Sequence, residues 1–172
     1  MTIRPAQNTQ TDRDLIFFLS NDPLVRSVSF NQDKIEYAEQ CKWYGKTLAD
    51  KNTLFFLVFA DETERDFVGQ IRFKRADEQA EECVISLSIT EPFRGKHIAG
   101  EFMMKGIEEM QRMWQNIKAV VAEVKDENAA SNALFMREGF ELISKVNTYK
   151  LNIAKFSGGG YRCRGILQNV SN

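Results

Sequence analysis

The chain has 172 residues, of which 43% are apolar, 27% charged and 11% aromatic, with a formal net charge of -1. That length and composition suit one domain with its own core and exclude a disordered chain, and the near-zero charge argues against a large nucleic-acid footprint. No apolar run approaches about 18 residues and the first residues lack the apolar core of a signal peptide, so a cytoplasmic protein off the membrane is expected.

Cys41, Cys83 and Cys163 are far apart and odd in number, so reduced, unpaired thiols are expected. The single histidine, His97, leaves no set for structural zinc or a Ser-His-Asp triad, and no metal is expected.

Met1 to Ala6 alternates around Ile3, and Pro5 suits a strand end, predicting a short first strand. Thr11 or Asp12 caps a helix from about Arg13 to Ser20, which Asn21, Asp22 and Pro23 end. Asn31 or Asp33 opens a second helix, roughly Ile35 to Leu48. The polar Arg26, Ser29 and Asn31 then lie in a loop between helices, a natural place for an acceptor substrate.

Leu54 to Ala60 reads as a buried strand and Phe67 to Ala76 as a half-exposed one, joined as a hairpin by a charged turn. Cys83 to Thr90 is a third strand, followed by the loop at Arg94. Met103, Ile107, Met110 and Trp114 then step by helical spacing along one face. Ala119 to Val124 is a strand, and a helix between two strands of one sheet suggests a parallel neighbour. Asn128 fits an N-cap and Gly139 the position after a helix end. A last hairpin turns at Asn147. The folded domain is expected over 1–155, with a Gly-rich tail over 156–172 whose Arg162 and Arg164 are read as solvated.

The loop Arg94 to Gly100 carries the chemistry. A turn between a strand and a helix leaves backbone N–H groups without partners, and the helix dipole adds positive charge. A diphosphate satisfies both, Gly95 and Gly100 allow close approach, and Arg94 and Lys96 add charge. An aspartate at position 100 is expected to set a carboxylate against the phosphates. The spacing is neither GxGxxG nor GxxxxGK[ST], so dinucleotide and P-loop readings fail.

This loop, with the segment AEVKDENAASNALFMREGF, resembles the GNAT acetyltransferase superfamily. Arg94 and Ala99 match its [QR]-x-x-G-x-[GA] motif, with His97 where the inner glycine is usual; Asn128, Ser131, Gly139 and Phe140 match its second motif. The run NDPLVRSVSFNQDKI, with KWY after it and GQIRF later, is similar to bacterial N-acetyltransferases acting on amino-sugar nucleotides, of the pseudaminic- and legionaminic-acid pathway type. Those carry a His three residues before the Trp; here that residue is Gln40.

The resemblance implies a single α/β (α+β) domain. Its mixed, mostly antiparallel sheet has about seven strands, flanked by about four helices, with strands 4 and 5 parallel and splayed. It implies acetyl-CoA as co-substrate, held by Leu87, Ile89, Arg94, Gly95, Lys96, His97, Ile98, Ala99, Gly100, Asn128, Ser131 and Phe135. His97 is expected to contribute its backbone N–H rather than its side chain.

Glu123 is the expected general base, with Glu81 and Glu82 as weaker candidates. Phe135 stands where a proton-donating tyrosine is usual, so Ser131, water or unassisted departure serves the thiolate. Arg26, Asn31 and Trp43 are expected to touch the acceptor. The leading reading is a small-molecule primary amine, most specifically of a nucleotide-linked amino sugar. A protein N-terminus, a small amine or a non-catalytic CoA-binding module are the alternatives, and a homodimer is compatible with all of them.

Overall fold

A computed structural model describes residues 1–144 and 148–155. The expected turn at Asn147, the tail over 156–172 and Cys163 lie outside the described residues. The strands are β1 (Thr2–Pro5), β2 (Thr53–Phe59), β3 (Phe67–Arg75), β4 (Glu82–Ile89), β5 (Ala119–Glu123), β6 (Glu141–Ser144) and β7 (Thr148–Asn152). They form one sheet in the order β1-β2-β3-β4-β5-β7-β6, antiparallel everywhere except between β4 and β5. The helices are α1 (Gln10–Ser20), α2 (Pro23–Val28), α3 (Tyr37–Ala49), α4 (Ala99–Met113) and α5 (Ala129–Arg137).

Two cores fill the two faces of the sheet. On one face Phe102, Met103, Ile107 and Met110 of α4 pack on Phe56, Ile71, Phe73 and Ile85, joined by Phe135 of α5. A Cβ on Gly106 would run into the Ile71 side chain, so glycine lets α4 sit this close. Trp114, expected on the helical stripe, is buried at the cap of α4. On the other face Ile16 of α1 and Tyr44 of α3 close over Phe55, Leu57 and Phe59.

Three helix starts differ from expectation. Thr9, not Thr11 or Asp12, caps α1. The Asp12 carboxylate is taken by both Nη atoms of Arg4 at 2.8 Å and by the Gln7 N–H at 2.7 Å. Burial would raise its pKa, but these bonds outweigh that and hold it below the usual carboxylate range.

The second difference is α2, which sequence reading left as loop. Asp22 accepts from the N–H groups of Leu24 and Val25, and Pro23 opens the helix, so the residues expected only to stop α1 also start α2. The third is α3, which begins at Tyr37 rather than Ile35. The Asn21 side chain holds Ile35 through both its N–H (2.8 Å) and its carbonyl (3.1 Å), which keeps that residue outside the helix.

Candidate active site

The parallel pairing runs from Glu82↔Ala119 to Ile85↔Ala122 and stops there. β4 continues to Ile89, still paired to β3, so Ser86 to Ile89 have no neighbour on the β5 side. Thr90 N–H donates to the Val68 carbonyl at 2.9 Å. Alternation therefore turns the backbone groups of Ser86 and Ser88 toward β3 and those of Leu87 and Ile89 into the gap. A cavity of about 520 Å³ opens at this point, walled by the two strand ends, α2, the loop before α4, and α5.

The loop before α4 turns through two left-handed residues and leaves its N–H groups free. Gly95 has φ +70° and His97 φ +59°. No side chain caps α4, and among the described residues the N–H groups of residues 95–101 donate to no protein acceptor. Leu87, Ile89, Arg94, Gly95, His97 and Ala99 all line the cavity. So do Asn128, Ser131 and Phe135, whereas Lys96, Ile98 and Gly100 do not.

The left-handed backbone at His97 explains why a glycine suits this place. His97→Gly should relieve about 1–2 kcal/mol of strain, partly offset by glycine's greater freedom when unfolded. The expected result is a net gain of about 0.5–1 kcal/mol, read as a rise of ~1–4 °C in Tm. Acetyl-CoA affinity should be unchanged if only the backbone N–H contributes.

Arg94 is differently engaged than the sequence suggests. Its Nε donates to the Ile89 carbonyl at 2.8 Å and its Nη2 pairs with Asp22 Oδ1 at 2.8 Å. Burial would raise the Asp22 pKa, but Arg94 and the two amide N–H groups hold it below the usual range. The guanidinium thus ties the end of β4 to the cap of α2. Lys96 points away, over the Phe93 ring at 5.2 Å. A Cβ on Gly100 would overlap the Glu138 carboxylate, so an aspartate there meets Glu138 first.

Among the chemical candidates, Glu123 stands exposed at the end of β5 and lines the cavity. Its neighbours Ala122 and Val124 are buried with the α4 side, so alternation puts Glu123 on the opposite face. Ser131 lines the same cavity, its N–H held by Asn128 Oδ1 at 3.1 Å. Phe135 is buried against Phe140 and Tyr149, and the Tyr149 hydroxyl donates to Asn132 Oδ1. Glu81 and Glu82 lie at the other end of β4, ion-paired with Lys118 and Lys150, and are not brought to the gap. Burial pushes the Cys83 thiol up to about 12, so it supplies no thiolate at neutral pH.

A second cavity, of about 490 Å³, adjoins the first on the α1–α3 face. Val25, Ser29, Phe30, Ser86 and Ser88 line both. Arg26 and Trp43 line the second; Asn31 lines neither. Arg26 is spent on holding its own loop, through the carbonyls of Asn31 and Asp33 and the Ser29 hydroxyl.

Sequence reasoning missed Gln70, Arg72, Lys125 and Arg137 as lining residues. For Gln70 and Arg72 the signal was present, since both alternate with buried Ile71 and Phe73 and so share one face.

The parallel pair splayed beside an uncapped helix start is the arrangement that the resemblance to acetyltransferases implies. The family model for the Acetyltransferase (GNAT) domain matches residues 1–141, and the chain belongs to that family. A search of curated proteins found no match. Among solved structures, the chain is similar to spermidine N-acetyltransferase from Vibrio cholerae in complex with CoA and spermine. The TM-score is 0.78 and the identity 17%, covering 90% of this chain and 96% of that one. A domain from Methanocaldococcus jannaschii aligns with a TM-score of 0.73 at 20% identity, covering 88% of this chain and 97% of that one. A dodecameric structure of the Vibrio cholerae enzyme aligns with a TM-score of 0.70 at 16% identity, covering 91% and 95%. No helix among the described residues is long and apolar enough to cross a membrane.

Proposed function

We propose that the protein transfers acetyl from acetyl-CoA to the primary amine of a small molecule, by direct attack within a ternary complex. A nucleotide-linked amino sugar is our specific acceptor. The observation that carries this reading is the gap beside Ser86 to Ile89, next to a helix start with free N–H groups.

The free N–H groups of the loop suit a diphosphate. Leu87 offers both backbone groups to the pantetheine amides, and Ile89 offers its N–H, since Arg94 holds its carbonyl. A backbone N–H in the gap also stabilises the oxyanion as nitrogen attacks the thioester carbon. The C–N bond forms, the C–S bond breaks, and the amine proton passes to Glu123 directly or through water. The thiolate leaves and takes a proton from water or Ser131; a thiol pKa of about 8.5 makes it a tolerable leaving group.

The amino-sugar reading draws support from Trp43 and Arg26, which line the second cavity, while Asn31 outside it and Gln40 in place of the usual His count against it. The similar Vibrio cholerae structures are spermidine N-acetyltransferases, which motivates a polyamine as the second reading. The test is mass spectrometry of a nucleoside-diphosphate amino sugar and of spermidine, each incubated with protein and acetyl-CoA. The mass of one added acetyl group on the sugar nucleotide is expected. Acetylation of spermidine alone would favour the second reading, and tight CoA binding without turnover of any amine would defeat both.

A further inference from the structure

The second cavity is built for a charge that is not positive. Arg72 and Arg26 line it, and among the described lining residues Glu39, exposed on the rim, is the only acidic side chain. Arg72 is half-buried on β3 and makes no hydrogen bond or ion pair among the described residues. Its guanidinium lies over the Trp43 ring, 5.2 Å from the centroid, and Trp43 packs edge-on to Phe55. Burial alone acts on Arg72 and lowers its pKa, whereas the carboxylates beside Arg4 raise that one. A partly desolvated cation with no counter-ion favours an incoming anion.

Two neutral groups converge on the same space. Gln40 is 3% exposed, yet its Nε2 has no partner, and the buried Gln70 Oε1 has none either. Both residues line the cavity. Buried polar atoms are rarely left unpaired, and here the cavity is where partners can enter.

We infer that the second cavity selects amines that also carry a carboxylate or phosphate, which pairs with Arg72 beside Trp43 while the amine faces the gap. The amine and its facing the gap rest on the acetyl-transfer reading; the pairing of an anion with Arg72 does not. Register sets the spacing: Arg72 pairs with Ser86, whose strand borders the gap. With strands about 4.8 Å apart, the anion stands roughly 5–10 Å from the reacting nitrogen. That is too far for an α-amino acid and within reach of an ω-amino acid or a sugar phosphate. A polycation such as spermidine would place a second ammonium against Arg72.

The test uses the full chain, acetyl-CoA and matched acceptors: glucosamine with glucosamine 6-phosphate, and n-butylamine with 4-aminobutyrate. Glycine and spermidine serve as controls. The anionic member of at least one pair should have a kcat/KM at least tenfold higher, and which pair responds tells phosphate from carboxylate. Arg72→Gln should bring that ratio to within twofold of one, by lowering kcat/KM for the anionic member far more than for its neutral partner. Arg72→Lys should keep part of the ratio. Ratios near one in both pairs, spermidine preferred over every anionic acceptor, or an equal loss across all acceptors in Arg72→Gln would overturn the inference.

Trp43 gives a readout without turnover. Trp114 is buried under Arg75, so ligand-induced emission changes belong to Trp43, as Trp43→Phe verifies. Quenching by the anionic members that is lost in Arg72→Gln, without acetyl transfer, supports the inference and counts against the proposed activity. Absence of both turnover and anion-dependent quenching overturns it.

Discussion

Glu123→Gln is expected to lower kcat about a hundredfold, equivalent to ~2.7 kcal/mol of barrier, with little change in the KM for acetyl-CoA. The side chain is exposed at the end of β5, on the face away from buried Ala122 and Val124. It stands one residue past the last parallel pair, Ile85↔Ala122, where the gap opens. It lines the first cavity, which shares Ser86 and Ser88 with the second. Glutamine keeps the size and the hydrogen bonding but cannot accept the proton. The change should alter the shape of the pH–rate profile as well as its height. An unaltered profile with an unaltered kcat would remove Glu123 from the mechanism and leave water as the base.

The loop and the helix that flank the gap were legible because each is local. Arg94 to Ala99 and Asn128 to Phe140 are short runs whose spacing fixes a turn, a helix start and a helix end. Of these runs, Arg94, Gly95, His97 and Ala99 line one cavity with Asn128, Ser131 and Phe135. The seven-stranded sheet with its one parallel pair was legible for the same reason: alternation and helical spacing are properties of short windows.

What escaped depends on partners distant in sequence. Arg94 reads as a phosphate ligand until Asp22 is seen beside it, and Asp22 reads as a helix stop until its bonds to Leu24 and Val25 are seen. Ile35 reads as helical until Asn21 is found holding it. Arg72 looks like an ordinary solvent-facing strand residue; only the placement of α3 shows that Trp43 roofs it. The second cavity is assembled from α1, α2, α3, β3 and β4 together, so no window of sequence contains it.

Gly69→Ala should be the most damaging small change near the site, destabilising the fold by about 3 kcal/mol, at the upper end for overpacking. Gly69 pairs with Ile89 across β3 and β4. A Cβ there would overlap the Ser88 carbonyl oxygen and lie 3.1 Å from the Ile89 Cα. Both obstacles are backbone, so no rotamer change relieves them; β4 itself must move. The strand that would move carries Leu87 and Ile89, whose backbone groups face the gap, and Ile89 also anchors Arg94. The loss should therefore appear twice, as a fall in Tm of ~6–12 °C for a chain of this size and as a raised KM for acetyl-CoA at temperatures where the protein is still folded. Gly106→Ala provides the contrast. Its Cβ would meet the Ile71 side chain on the far side of β3, which can shift, so stability should fall while the KM stays near wild type. An equal rise in KM for both variants would mean that general loosening, rather than displacement of β4, governs cofactor affinity.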